Sequence, residues 1–186
     1  MARLYARPTS GGECSSWSMR HPGTVLGVGV LVAAAIVLPP VDVPADYQLG
    51  GAYPPPAAVG VVARDWRESP APGMYSICYV NGFQTQPAQR RWWLRVHPDL
   101  VLRRGGEPVA DPGWPGEVLL DTRTPRNRRG IARVVGQWID VCARKGFSAV
   151  EADNLDSWTR SHGLLHRRDN RLLARLLARR THAEGL

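Results

Sequence analysis

Cysteine, lysine and long apolar runs are all scarce in this chain of 186 residues. Its three cysteines, Cys14, Cys78 and Cys142, lie far apart and show no zinc-finger spacing. No cysteine closely follows the apolar run Thr24–Leu38, which argues against a lipid anchor. That run falls short of the roughly 20 apolar residues of a comfortable membrane span. Arg20 and His21 precede it and Val43-Pro44-Ala45 follows, the layout of a secretory signal with cleavage before Asp46. Met19 makes a tidier start for such a signal than Met1, and an uncleaved membrane anchor is the competing reading. Residues 1–45 are therefore expected to be a leader and 46–186 the folded domain, secreted unless anchored. Lysine occurs once, at Lys145, so the net charge of +8 is almost wholly arginine. Arginines cluster between Arg123 and Arg144 and between Arg160 and Arg180, without interleaved aromatics. That pattern reads as solvated outer helix faces, and no nucleic-acid partner is expected. Cys78 and Cys142 either pair in an oxidising compartment or stay as buried thiols; the sequence fits both.

Short apolar runs between Gly and Pro punctuation predict strands at Asp46–Gly50, Val59–Asp65 and Met74–Asn81. Pro87–Val96 reads as a short helix, and Asp99–Ala110 as a hairpin turning on Gly105-Gly106. Thr124–Gly146 has a capping threonine, Pro125 in the first turn and a terminal glycine. Its apolar positions Ile131, Val134, Val135, Trp138, Ile139 and Cys142 form one buried stripe. A strand at Phe147–Ala152 and a helix at Arg167–Ala183 complete the pattern. Strands alternating with helices predict an α/β fold with a parallel sheet, in which ligands lie beyond the carboxyl ends of the strands.

Those ends carry Asp65, Asn81 and the run Glu151-Ala152-Asp153-Asn154-Leu155-Asp156. Side chains alternate along a strand, so Glu151 and Asp153 point to one side. Two crowded carboxylates at a buried strand end are costly to desolvate, which favours a catalytic reading. Turn and cap chemistry is the plainer explanation of Asp153, Asn154 and Asp156.

The ordered pieces Asp46-Tyr47-Gln48-Leu49, Ile77-Cys78-Tyr79 with Asn81-Gly82, Gly113-Trp114-Pro115-Gly116-Glu117, Leu120-Asp121, and Lys145-Gly146-Phe147 with Glu151–Asp156 resemble the endo-α-1,4-polygalactosaminidases, glycoside hydrolase family 114. Ala152 departs from the family, which has proline there. The resemblance implies a (β/α)8 TIM barrel that hydrolyses galactosamine-rich polysaccharide at two carboxylates, with no metal or other cofactor. Asp153 falls on the catalytic position, with Glu151, Asn154 and Asp156 around it to position the sugar or tune it. Tyr47, Asp65, Tyr79 and Asn81 would line the cleft, and Trp114 would either stack on a sugar or, wedged between Gly113 and Pro115, anchor its loop. Glycoside cleavage needs carboxylates about 5 to 9 Å apart on either side of the bond. Glu151 and Asp153 sit too close together for that, so the partner acid is expected from another strand end. Residues 46–186 are about 140 against about 250 for a whole barrel, so the first four strand–helix units of a truncated barrel are expected. Little activity is expected of such a half. A vestigial carbohydrate-binding protein and a basic module for anionic polymers are the other classes. The positive net charge is poorly matched to an amine-bearing polymer and points to an acetylated or otherwise different substrate.

Overall fold

A computed structural model describes residues 36–186. The alternative start at Met19 and the body of the apolar leader lie outside the described residues. Among the described residues, no helix is long and apolar enough to cross a membrane. In chain order the elements are β1 (Ala45–Gln48), β2 (Val61–Asp65), β3 (Tyr75–Asn81), α1 (Pro87–Val96), β4 (Arg103–Arg104), β5 (Glu107–Pro108), α2 (Pro125–Lys145), β6 (Ala149–Asp153) and α3 (Arg167–Ala183). The expected cleavage point before Asp46 falls inside β1. Strands β1, β2, β3 and β6 form one parallel sheet in that order, while β4 and β5 make the expected hairpin on Gly105 and Gly106, both at positive φ.

The first two crossovers are loops rather than helices. Residues 49–60 contain Pro54, Pro55 and Pro56, and residues 66–74 contain Pro70 and Pro72, which removes the donors a helix needs. Helices follow only β3 and β6. Helix α2 starts where its caps direct: the Thr124 hydroxyl accepts from the Asn127 N–H at 3.1 Å, and Gly146 ends it at φ 84°. Phe147 is not in the strand as expected. Its N–H bonds the Cys142 carbonyl at 3.2 Å and its ring is buried, so it closes the helix end, and β6 starts two residues later and runs on to Asp153.

Alternation along the strands divides the sheet into two chemically different faces. Cys78 and Val80 are wholly buried beneath the helices, whereas Tyr79, Glu151 and Asp153 stand on the opposite, open face. The whole predicted stripe of α2 is buried. Around Trp138, Trp66 stacks at 5.4 Å between ring centroids and Trp93 meets it edge-on at 5.9 Å. Cys78 and Cys142 form a disulfide that ties β3 to α2, resolving the alternative the sequence left open. The bond closes a loop with a sequence separation of 64, for which chain-entropy arguments give about 4 kcal/mol. Reduction, or Cys78→Ala with Cys142→Ala, is expected to lower stability by about that amount, read as a fall in the urea midpoint. Equal midpoints with and without reductant would show the pairing to be dispensable.

Candidate active site

The open face of the sheet forms the floor of a cleft of about 740 Å³. The pairing of β3 with β6 sets Tyr79 beside Glu151 and Asn81 beside Asp153. The Tyr79 hydroxyl donates to Asp153 Oδ2 at 2.6 Å, and the Asn154 backbone N–H donates to Asp153 Oδ1 at 2.6 Å. Asn154 Nδ2 adds a longer contact to Oδ2 at 3.3 Å. Asn154 sits at φ 68°, in the left-handed region that asparagine tolerates better than most residues. Turn chemistry and site chemistry thus coincide: the turn is what brings the Asn154 N–H onto Asp153. Glu151 accepts from the Tyr47 hydroxyl at 3.0 Å. Both phenols are held protonated. Burial raises the pKa of each first, followed by the hydrogen bond to its carboxylate and the negative charges around it.

Asp65 lines the cleft with its oxygens already engaged, by the Arg67 N–H at 3.0 Å and by Gln86 Nε2 at 2.7 Å. Trp114 stands at the cleft with 66% of its surface exposed, as a sugar platform would. Two expected residues are not on the cleft surface. Asn81 is buried and works from beneath, donating to Glu117 Oε2 at 3.1 Å. Asp156 points outward and pairs with Arg160 at 3.0 Å, so it acts on the site only through that arginine.

Four residues that line or brace the cleft were not singled out from the sequence. Glu117 lines the cleft, belongs to the quoted Gly113–Glu117 motif, and is only 9% exposed. Its Oε2 accepts from Gln84 Nε2 at 2.6 Å as well as from Asn81. Burial raises its pKa above the ordinary carboxylate value; the two amides oppose that shift and the nearby Asp111 and Asp153 charges add to it. Asp111 and Arg160 form a buried ion pair at 2.6 Å behind the cleft. Burial works against the Asp111 charge, but the Gly113 N–H, Gln84 and the Arg160 guanidinium outweigh it and lower the pKa. Asp111 Oδ1 also accepts from the Gly113 and Trp114 N–H groups, at 2.8 and 3.3 Å, while Arg160 reaches Asn154 Oδ1 at 3.0 Å. One ion pair therefore fixes both the Trp114 loop and the Asn154 turn. The fourth is Lys145, whose ammonium donates to the carbonyls of Trp66, Arg67 and Glu68 at 2.9, 2.6 and 2.8 Å. It clamps the loop after β2 that carries the near wall of the cleft.

The cleft lining holds Asp65, Glu68, Glu117, Glu151 and Asp153 against Arg67 alone. The expectation of a poor match to cationic sugars rested on net charge, and the cleft has the opposite sign. Among the described residues no cluster of His, Cys, Asp and Glu fit to hold a metal ion is found.

Removing the arginine of the buried pair leaves Asp111 charged and uncompensated. Arg160→Met is expected to cost about 3 to 5 kcal/mol in chemical denaturation, and the added change Asp111→Asn is expected to restore part of it. A cost below about 1 kcal/mol would mean that the pair does not hold the two loops.

A family model described as glycoside-hydrolase family GH114 matches residues 30–186. Among solved structures, Aspergillus fumigatus Ega3 in complex with galactosamine is similar at 21% identity and a TM-score of 0.61, covering 82% of this chain and 60% of that one. At that identity the likeness is one of fold, and the chain spans three-fifths of the Ega3 chain. The glycoside hydrolase domain of PelA from Pseudomonas aeruginosa matches at 16% identity and a TM-score of 0.45, covering 73% of this chain and 52% of that one. An alpha-galactosidase from Thermus thermophilus matches at 17% identity and 0.47, covering 67% and 30%. No curated protein matches.

Proposed function

The chain belongs to glycoside-hydrolase family GH114, and we propose that it serves as a secreted glycosidase cutting α-1,4-linked, galactosamine-rich polysaccharide. The observation that carries this reading is Asp153 on the cleft floor, accepting hydrogen bonds from the Tyr79 hydroxyl and the Asn154 N–H. A carboxylate held only by donors is suited to act as nucleophile or base rather than as proton donor. Asp153 attacks the anomeric carbon, directly or through water, as the glycosidic C–O bond breaks and the leaving oxygen takes a proton from a second acid.

Glu151 is two residues along the same strand, about 6.6 Å away at Cα, and points the same way. It lies under the same face of a bound sugar as Asp153, where it binds or tunes rather than faces Asp153 across the bond. Trp114 offers an exposed ring for the apolar face of a neighbouring sugar unit. The anionic lining favours sugars carrying free ammonium groups over acetylated ones. The Cys78–Cys142 disulfide supports an oxidising, extracytoplasmic location; a membrane-anchored form follows if the N-terminal apolar segment is retained. No nucleic-acid partner enters this reading.

The test is release of reducing ends from a deacetylated galactosamine polymer by the full chain, with Asp153→Asn beside it. Whatever turnover the chain shows is expected to fall to background in the variant, since a reacting carboxylate is lost. Equal rates in both proteins would remove Asp153 from the reaction. Binding of the polymer without turnover would favour a carbohydrate-binding protein that does not cleave.

A further inference from the structure

The cleft contains one carboxylate whose surroundings are unlike those of the others. Asp153 and Glu151 each meet a phenol, Asp65 is engaged by Arg67 and Gln86, and Glu68 is only partly buried on its loop. Glu117 is nine-tenths buried, faces the cleft, and forms no ion pair with any described arginine, lysine or histidine. Both its hydrogen bonds go to one oxygen, Oε2, from the amides of Gln84 and Asn81. Among the described residues Oε1 has no hydrogen-bond partner. A buried negative charge without a cation is costly, and such a group is retained where something else supplies the cation.

The rest of the loop suits a sugar-reading device. Glu117 N–H donates to the Trp114 carbonyl at 2.8 Å and the Asp111 N–H donates to the Glu117 carbonyl at 3.1 Å, so ring and carboxylate ride on one closed turn. The carboxylate cannot swing away, because Asn81 is itself oriented by the Gln84 N–H at 3.1 Å. Burial outweighs the two amide donors and raises the Glu117 pKa, so the ionised form lacks a counter-charge that a cation arriving at Oε1 would supply.

We propose that Glu117 is the specificity residue that reads the ammonium group of an amino sugar in this cleft, through Oε1, with the Trp114 ring holding the sugar plane beside it. This rests on the glycosidase reading above and assigns to Glu117 recognition rather than bond cleavage.

The experiment measures binding of galactosamine and of galactose, each titrated near neutral pH into the full chain and into Glu117→Gln. In the variant the amide oxygen can keep both hydrogen bonds from Gln84 and Asn81, while the neutral nitrogen takes the Oε1 position. The wild type is expected to prefer galactosamine over galactose by about tenfold or more, the size of one charge-assisted contact. In Glu117→Gln that ratio is expected to fall to about one, with galactose affinity kept. The variant is also expected to melt no lower than the wild type, since a buried unpaired charge has been removed. Glu107→Gln, on the exposed hairpin outside the cleft, removes the same charge and is expected to leave the ratio unchanged. A ratio that survives in Glu117→Gln, or that Glu107→Gln lowers equally, overturns the assignment while leaving the glycosidase reading in place. A wild type that binds neither sugar also overturns the assignment, whereas the glycosidase reading stands or falls on polymer turnover.

Discussion

The site depends on the parallel pairing of β3 with β6, because that register decides which side chains face the cleft. With Tyr79 beside Glu151 and Asn81 beside Asp153, the carboxylates and their donors share one face, and Cys78, Val80 and Ala152 share the other. A slip of β6 by one residue would turn Val150 and Ala152 toward the cleft and bury two carboxylates under the helices. On the helix side, α2 and the Cys78–Cys142 disulfide hold β3, while α3 packs on β6 and Val150 and Ala152 lie against the shared core. Burial on one face of the sheet thus sets the electrostatics of the other.

Charge is divided in the same way. The net charge of +8 resides on outer arginines, while the cleft lining is acidic apart from Arg67. Screening limits a charge's reach to about 8 Å at physiological salt, so a ligand in the cleft feels the nearby carboxylates more than the distant helix faces. The single lysine of the chain lies where three backbone carbonyls converge behind the loop after β2. A compact ammonium with three donors fits that convergence, and a planar guanidinium matches it poorly. Where the protein needs a fork that reaches several acceptors, it uses Arg160, which touches Asp111, Asp156 and Asn154.

What could be read from residues alone follows from local physics. The cap at Thr124, the stop at Gly146, the hairpin glycines and the period-two placement of Glu151 and Asp153 each depend on a few neighbours in sequence, and each stands as expected. The loop crossovers were legible in principle, since Pro54–Pro56 forbid a helix, but the strand–helix rhythm of the later chain suggested more regularity than the first half has. Phe147 looked like a strand residue because it is apolar and precedes one; its burial against the end of α2 is a matter of packing.

The sequence by itself determined the strands and helices, the parallel α/β class and the common face of the two strand carboxylates, because periodicity and capping act over a few residues. Only the tertiary structure decided which other groups join them. Glu117 meets Asn81 and Gln84 across separations of 36 and 33 residues, and Tyr79 meets Asp153 across 74. Asp156 left the cleft, Asn81 went beneath it and Cys78 found Cys142 for the same reason. Partners brought together by sheet register and helix packing leave no periodic trace in the chain between them.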